Sequence, residues 1–530
     1  MTPVLSDYIR FESYKYKKIF QIISTSIEQL RTESLIYKRN LILILFIGIS
    51  AVFLGLLSAS TNLMMISLGS GVIFGPLFLV IPELTVWVIL IIGFLFGVLS
   101  ANQLFSQGIW VVSFLSILLL IPSIFNMFWN KQRRVPFFIL IALLTLVYSL
   151  VISIIQGHSI LEVVAGFKRY FQSFGLMIAL TMIKFTPQSY VRWRKFLMIV
   201  ALLQFPFALY ELLVLVPLRG GLAYSSETTD LVAGSFGANL MGGSPSSVMV
   251  IYLFMTLSFL VARWRVGLIN NWFFYSSALI CLLPLGMGET KIAIIMLPIV
   301  GLILVKDDFI KAPLNYLFFS SIIILLTGLL VYIYVSVIMH TSLDDFIYGT
   351  IEYNFGNKGY STSQSLNRFT SITFWAQQQR WNDPMGLIIG NGLGSSYYTS
   401  NDGNSGFLGI KYGHYGIDMT AVSALLWDTG LVGLLFYTSI FFLAWRSAGQ
   451  LHCSVSDPGV KADALAIQAT VALFILSLFY TNSTVNLMSM ELIYAIVLGY
   501  LGYLLNNQRV FDSSKSLTPL CNKSSFMKNV

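Results

Sequence analysis

Apolar runs of about 17–25 residues recur along almost the whole chain, separated by short polar breaks, and each is long enough to cross a bilayer as a helix. The runs are continuously apolar instead of alternating, so helices are predicted and a porin-like barrel is not. A window reading places spans at 41–59, 62–80, 83–101, 108–128, 135–156, 162–184, 195–217, 244–263, 270–286, 288–305, 313–338, 420–446, 464–482 and 486–505. The second and third, and the ninth and tenth, are joined very tightly. The expectation is therefore an all-α polytopic membrane protein of about 12–14 transmembrane helices.

Two stretches break this rhythm. Residues 219–243, "RGGLAYSSETTDLVAGSFGANLMGG", are rich in glycine and small polar residues, and residues 339–419 form by far the longest polar segment. Loops of such length are uncommon without a purpose of their own. The chain thus reads as a basic N-terminal segment (1–40), a membrane region (41–338), a large partly helical outer loop (339–419), a C-terminal membrane region (420–505) and a tail (506–530).

Hydrophobic residues make up 56% of the 530, charged residues only 10%, and mean hydropathy is +0.78. The net charge of +9 is spread, not gathered. Arg10, Lys15, Lys17, Lys18, Arg31, Lys38 and Arg39 precede the first span, and "NKQRR" (130–134), "VRWRK" (191–195) and "ARWR" (262–265) fall on the same side by parity. The positive-inside bias makes that side cytoplasmic, with both termini there. Charge distributed this way speaks for topology and anionic lipid, not for nucleic acid. Residues 1–40 are too polar for a cleaved signal peptide and read as a surface-lying or disordered basic arm. Cys281 lies in a span and Cys453 and Cys521 are cytoplasmic, so no outer disulfide framework is expected.

Inside the large loop, "SQSLNRFTSITFWAQQQRWNDP" predicts a helix with Ser or Asn near its start and Asn-Asp-Pro at its end. Arg368, Ile372, Trp375 and Gln379 would share a face, with Arg380 roughly 120° away. "MGLIIGNGLGSSYY" then predicts a short apolar piece and a glycine turn. Gly390, Gly392 and Gly394 lack the βαβ context of a dinucleotide loop, so a tight turn or close backbone approach to a bulky substrate is the better reading.

Chemistry at an outer face has no access to cytoplasmic nucleotide sugars or ATP, which favours a lipid-linked donor that already carries its leaving group. A diphosphate leaving group needs cations, and the arginine fork suits it. Arg368, Arg380, Arg219, Lys291, Lys168 and Arg169 are the candidates. Lys168 and Arg169 lie inside a predicted span, where charge is costly and faces a cavity or partner, or snorkels outward. Glu289 and Lys291 sit at an outer junction, paired with each other or part of the site. Glu211, within the seventh span, offers a counter-ion for these cations. Aromatic residues of the loop, Trp375 among them, serve as sugar-stacking faces or as interface anchors. Glycosyl transfer also needs a base. His414 and Asp418 are four residues apart and share a face if the next helix starts early; a solvated His414 and an N-capping Asp418, with Thr420 competing, are the alternatives. His158, His340 and His414 are scattered and no carboxylate run has cation-ligand spacing, so neither a metal nor another cofactor is expected.

"RFTSITFWAQQQRWNDPMGLIIGNGLGSS" (368–396) resembles the signature of the O-antigen ligase and O-antigen polymerase superfamily: an Arg, a Trp further on, a Pro and a Gly-x-Gly run, here Arg368, Trp375, Pro384 and Gly390 with Gly392. "GSFGANLMGG" (234–243) is similar to the family's Gly-x-Phe-Gly-Asn-Pro-Asn stretch, with Ala238 and Leu240 departing from it, and "GETKIA" stands where many members have a Ser-Arg pair. "LLWDTGLVGLLFY" (425–437) resembles the Glu-x-Gly-x-x-Gly helix start, with Asp428 in the acidic position. In ligases a histidine stands eleven residues before the first of those glycines; here that position, eleven before Gly430, is Met419.

The resemblance implies a bacterial inner-membrane glycosyltransferase acting without metal on polyprenyl-diphosphate-linked oligosaccharides as donor and acceptor, with chain-length regulators and flippases as partners. The missing histidine favours a polymerase over a ligase that serves a terminal lipid or protein acceptor, and leaves Asp418 as the first candidate base and His414 as the second. A transporter or flippase of lipid-linked sugars is the rival from another class. It predicts inverted repeats and mid-depth charge pairs, and no internal repeat is visible.

Overall fold

The structure is a computed structural model. It describes residues 74–95, 108–129, 133–219, 232–238, 245–288, 292–333, 335–336, 342–356, 365–379, 384–398 and 405–513, with isolated positions 48, 52, 55 and 97. The chain divides into a unit Met1–Val80 and a unit Ile81–Val530. Of the first, helix is described over Phe74–Val80; apart from the isolated positions, the predicted spans 41–59 and 62–80 otherwise lie outside the described residues, as does the whole basic arm 1–40.

The second unit is all-α among the described residues. Its helices are α1 (Pro82–Leu95), α2 (Gly108–Trp129), α3 (Phe137–Ile155), α4 (Ile160–Phe171), α5 (Phe174–Met182), α6 (Pro187–Tyr210), α7 (Ser246–Arg265), α8 (Asn271–Met287), α9 (Ile292–Leu304), α10 (Pro313–Ile333), α11 (Leu343–Phe355), α12 (Arg368–Gln378), α13 (Pro384–Ile388), α14 (Phe407–Tyr412), α15 (Ala421–Ser454), α16 (Pro458–Tyr480) and α17 (Met488–Ser513). Seven helices among the described residues are long and apolar enough to cross a membrane, which makes the chain a multi-pass membrane protein. The tightly joined ninth and tenth expected spans are separate helices, with 17 residues in α8 and 13 in α9.

Helix α3 shows why lipid is the right solvent. Its outward stripe is Leu140, Leu144, Val147 and Val151, all exposed, while its inward face carries Ala142, Thr145, Ser149, Ile152 and Ser153. Small polar residues inside and aliphatic ones outside invert the pattern of a water-soluble helix, and suit hydrocarbon, where helices pack through small residues. Helices α7, α16 and α17 are buried on nearly all sides and form the centre of the bundle.

The ends of the helices follow their caps. Thr186 precedes Pro187 at the start of α6, Asn270 caps α8, Asp457 accepts from the amides of Gly459 and Val460, and Thr420 forms a capping box with Ser423 at the start of α15. Helices α15 and α16 are antiparallel neighbours, and the amide of Ala421 donates to the carbonyl of Thr481 where the start of one meets the end of the other.

The predicted span 162–184 is not one helix. It divides into α4 and α5 at Gln172 and Ser173, whose side chains bond to Ser113 and Glu491 instead of being shed to lipid.

Candidate functional site

Helix α15 breaks at Gly430, whose φ of 65° and ψ of −168° belong to glycine alone. A break inside an apolar helix strands backbone carbonyls, and each must find a donor. The turn after α13 supplies them. The amide and side chain of Asn391 donate to the carbonyl of Trp427 (3.1 and 2.9 Å), and the amide of Gly392 donates to that of Asp428 (2.8 Å). Tyr148 on α3 donates to the carbonyls of Thr429 (3.3 Å) and Ile389 (3.4 Å), and Gln156 to that of Gly390 (3.0 Å). The fit has no room for a side chain: a Cβ on Gly390 would lie 2.4 Å from the amide nitrogen of Gly430. The expected glycine turn is present, with Gly390, Gly392 and Gly394 all at positive φ, and here it brings the loop against the backbone of α15 and, at Gly166, of α4.

The same turn forms a cage around Asp428, which is fully buried. Its Oδ2 accepts from the Tyr170 hydroxyl (2.7 Å) and the Gly394 amide (3.0 Å), its Oδ1 from the Ser395 hydroxyl (2.8 Å) and the Ser396 amide (2.7 Å). Four donors replace the water that the carboxylate gave up. His158 pins the loop from the other side, with Nε2 on the carbonyl of Asn391 and Nδ1 3.1 Å from Glu162, while the Ser153 hydroxyl accepts from the amide of Leu393 (2.8 Å).

Beside Tyr170 on α4, Arg169 reaches the other carboxylate. Its Nη2 donates to Asp418 Oδ2 at 2.7 Å and its Nη1 to the Ser396 hydroxyl at 3.3 Å. The guanidinium carbon lies over the rings of Tyr170 and Tyr397, 5.6 and 5.3 Å from their centroids. Arg169 is buried, Asp418 keeps a partly open side chain, and Asp418 Oδ1 has no hydrogen-bond partner among the described residues. Burial answers the question raised by an arginine at this depth, since it faces a carboxylate instead of snorkelling. Asp418 is not the helix cap; Thr420 is.

His414 stands apart from this pair. It lies in a 3₁₀ turn (Gly413–Tyr415), is exposed, and packs its ring 3.8 Å from that of Tyr415. Helix α15 begins only at Ala421, so His414 and Asp418 share no helical face; the capping box of Thr420 and Ser423 fixes the start too late.

Arg368 opens α12, which begins after the Asn367 cap as expected and ends before Arg380. Its Nε donates to the carbonyl of Tyr480 (2.7 Å), its Nη1 to Asn354 (2.5 Å), and its guanidinium lies 4.2 Å from the Tyr480 ring centre. Arg368 and the first residue of α15 therefore hold the adjacent carbonyls of Tyr480 and Thr481, and the amide of Leu366 reaches the carbonyl of Tyr415 (2.7 Å). Trp375 is buried on the inner face of α12, as is Gln379 just after it, and its Nε1 has no acceptor among the described residues. Phe374, Tyr412, Tyr415 and Trp427 form an aromatic cluster next to it, with Phe374 touching the other three.

The remaining candidates are elsewhere. Lys168 turns away from Arg169 and places its Nζ 3.9 Å from the centre of the Trp110 ring. Glu211 is not a counter-ion for the cations among the described residues: its Oε2 accepts from the amides of Ala233 (2.8 Å) and Gly234 (2.7 Å), which supply the donors that a buried carboxylate in a π-helical turn requires. Arg219 ends a short helical turn and its side chain is outside the described residues, as are Arg380, Glu289 and Lys291.

Three participants had no signal strong enough to single them out. Tyr170 is one aromatic residue among many. Ser396 looks like turn filler. Glu491 lies in the first turn of α17, fully buried, with Gln172 Nε2 2.9 Å from its Oε1 and no partner for its Oε2 among the described residues; a lone carboxylate in the first turn of an apolar helix is the readable hint. Among the described residues no group of three or more His, Cys, Asp or Glu is placed to hold a metal ion. The chain matches no protein-family model and no curated protein.

Proposed function

We propose that this chain is a bacterial inner-membrane glycosyltransferase of the polymerase type, joining polyprenyl-diphosphate-linked oligosaccharide units at the outer face. The observation that supports this most is the half-engaged, partly open carboxylate of Asp418. Buried Arg169 holds Oδ2, Oδ1 is left unengaged, and Arg368 stands at the same end of α16. In the proposed step the acceptor sugar hydroxyl attacks the anomeric carbon of the donor. The carbon–oxygen bond to phosphate breaks, the diphosphate leaves on its lipid, and the hydroxyl proton passes to Asp418 Oδ1. Arg368, with Nη2 unbonded among the described residues, neutralises the charge that develops on the leaving group. The Asp428 cage, buried and saturated with donors, sets the glycine loop and Ser396 in place and takes no part in proton transfer. The membrane is the source of both substrates, and flippase and chain-length proteins are the natural partners of such an enzyme.

The test is incubation of the purified protein with a defined polyprenyl-diphosphate-linked repeat unit, read by mass spectrometry. Multimers on the carrier, absent with Asp418→Asn, are the expected result. Movement of labelled repeat units across liposomes with no joining would overturn the reading in favour of a transporter.

A further inference from the structure

A second feature lies at the opposite end of the bundle from Asp428 and belongs to none of the chemistry above. Helices α15 and α16 run antiparallel, and the site sits where α15 starts and α16 ends. Asp463, near the start of α16, therefore marks the other end.

Between α5, α6, α7, α8 and α17 at that end is a cavity of ≈ 330 Å³, within the roughly 300–1,000 Å³ typical of ligand sites. Its walls are mostly apolar, from Leu180, Met198, Phe259 and their neighbours, but Arg194, Lys195 and Arg263 line it too. Their charges are unequally matched. Asp463 is buried and takes two bonds of 2.6 Å from Arg263 and one of 2.6 Å from the Tyr500 hydroxyl, while Arg194 Nη1 stays 3.7 Å away. Lys195 is exposed and has no ion-pair partner among the described residues. Three cations less one carboxylate leave a charge of +2 at the edge of an apolar cavity.

Trp193, which also lines the cavity, is buried, and its indole N–H has no acceptor among the described residues. An oxygen-bearing occupant would satisfy that donor, and leaving it unpaired is costly. An apolar hole, a surplus of exposed cation and an orphan donor make three separate demands. A lipid with an anionic phosphate head group meets all of them, with its hydrocarbon in the cavity, its phosphate at Arg194 and Lys195, and its ester oxygens near Trp193. We infer that this cavity is a binding site for one anionic phospholipid of the membrane leaflet at the Arg194 end. The inference stands independently of the proposed transferase activity, since none of these residues touches Asp418 or Arg368.

The experiment uses the full-length protein in nanodiscs of mixed phosphatidylglycerol and phosphatidylcholine, followed by release and native mass spectrometry of the lipids that stay bound. One phosphatidylglycerol retained in preference to phosphatidylcholine by about tenfold is expected, in keeping with two surface cations. Arg194→Gln with Lys195→Gln should remove the preference. Met198→Trp, which fills the cavity without altering charge, should remove the bound lipid altogether, and it decides the matter if the double variant does not fold. Arg446→Ala, on an exposed position of α15 outside the cavity, should change nothing. Equal retention of the two lipids, retention unchanged by Met198→Trp, or displacement of the lipid by inorganic phosphate would each overturn the inference.

Discussion

Arg169 and Asp418 are 249 positions apart in the chain and meet at 2.7 Å. The pair joins the break between α4 and α5 to the segment that enters α15. It also stands one residue from the Tyr170–Asp428 bond, also 2.7 Å, so α4 presents two adjacent side chains to two carboxylates with different surroundings. Asp428 has all its oxygens engaged and no exposure; Asp418 has one oxygen engaged and remains partly open. The first arrangement holds a loop. The second leaves one carboxylate oxygen free, the atom to which the proposed transfer step assigns the acceptor hydroxyl's proton.

Asp418→Asn separates these roles. The amide oxygen keeps the bond from Arg169 but not the charge that balances the buried guanidinium, so stability should fall, though by less than with Asp418→Leu, while the loss of a proton acceptor should lower polymerisation per folded molecule about 10²–10⁴-fold. Arg169→Leu should also destabilise the protein, by less than the about 3–5 kcal/mol of a fully buried charge left alone because Asp418 is partly open, and Asp418→Leu on that background should restore part of the loss. Thermal melts of the single and double variants in detergent check this, and strict additivity would show that the pair is not coupled.

The Asp428 cage predicts an intolerance to its closest isostere. Whichever way an asparagine amide turns, its NH₂ faces either the Gly394 amide or the Ser396 amide, and a donor meets a donor. Asp428→Asn should cost about 3 kcal/mol or more, and Tyr170→Phe, which removes one bond to a charged group, about 1.5–3 kcal/mol. Limited proteolysis between residues 384 and 398 should accelerate in both. A wild-type melt for Asp428→Asn would mean that the cage contributes nothing.

Glycines of the same helical class should behave in opposite ways. Gly430→Ala forces a side chain into a backbone conformation reserved for glycine and to 2.5 Å from the carbonyl oxygen of Ile388, so loss of the folded protein is expected. Gly286→Ala in α8 meets nothing within 4 Å and should be neutral or stabilising by about 0.5–1 kcal/mol. Yield of monodisperse protein after detergent extraction distinguishes the two.

The membrane character of the fold is legible because a run of about 20 apolar residues matches the thickness of a bilayer and suits little else. The capped start of α12 and the turn at Gly390–Gly394 are legible for a local reason, since Asn and Gly act on the backbone next to them. What stays hidden is non-local. Span 162–184 looks continuous because two uncharged polar residues, Gln172 and Ser173, do not outweigh the apolar residues around them, while their bonding partners, Ser113 and Glu491, come from other helices. Gly430 inside an apolar run reads as a tolerated helical glycine until Ile388 and Gly390 arrive from the loop. Glu211 reads as a counter-ion through its charge, while its actual partners, the amides of Ala233 and Gly234, leave no mark on the side-chain sequence. Arg169 is visible as an expensive charge, but nothing in its neighbourhood points to Asp418.

Arg368 carries the sharpest test of the functional reading, because two roles compete for it. Its Nε and Nη1 are spent on Tyr480 and Asn354, and its plane lies against the Tyr480 ring, so a purely architectural arginine would reveal itself by a fall in melting temperature when removed. A diphosphate ligand would reveal itself by a fall in rate. With the side chain only half-buried, Arg368→Ala should shift stability modestly while lowering polymerisation about 10²–10³-fold, the usual cost of removing one donor to a developing anion. Arg368→Lys keeps the charge but cannot reproduce a planar fork that bonds protein and phosphate together, so it should recover little of the rate. Chain-length ladders from cells carrying each variant, read beside melts of the purified proteins, separate the cases. Normal ladders with Arg368→Ala would remove Arg368 from the transfer step and leave it as the clamp between α12 and α16.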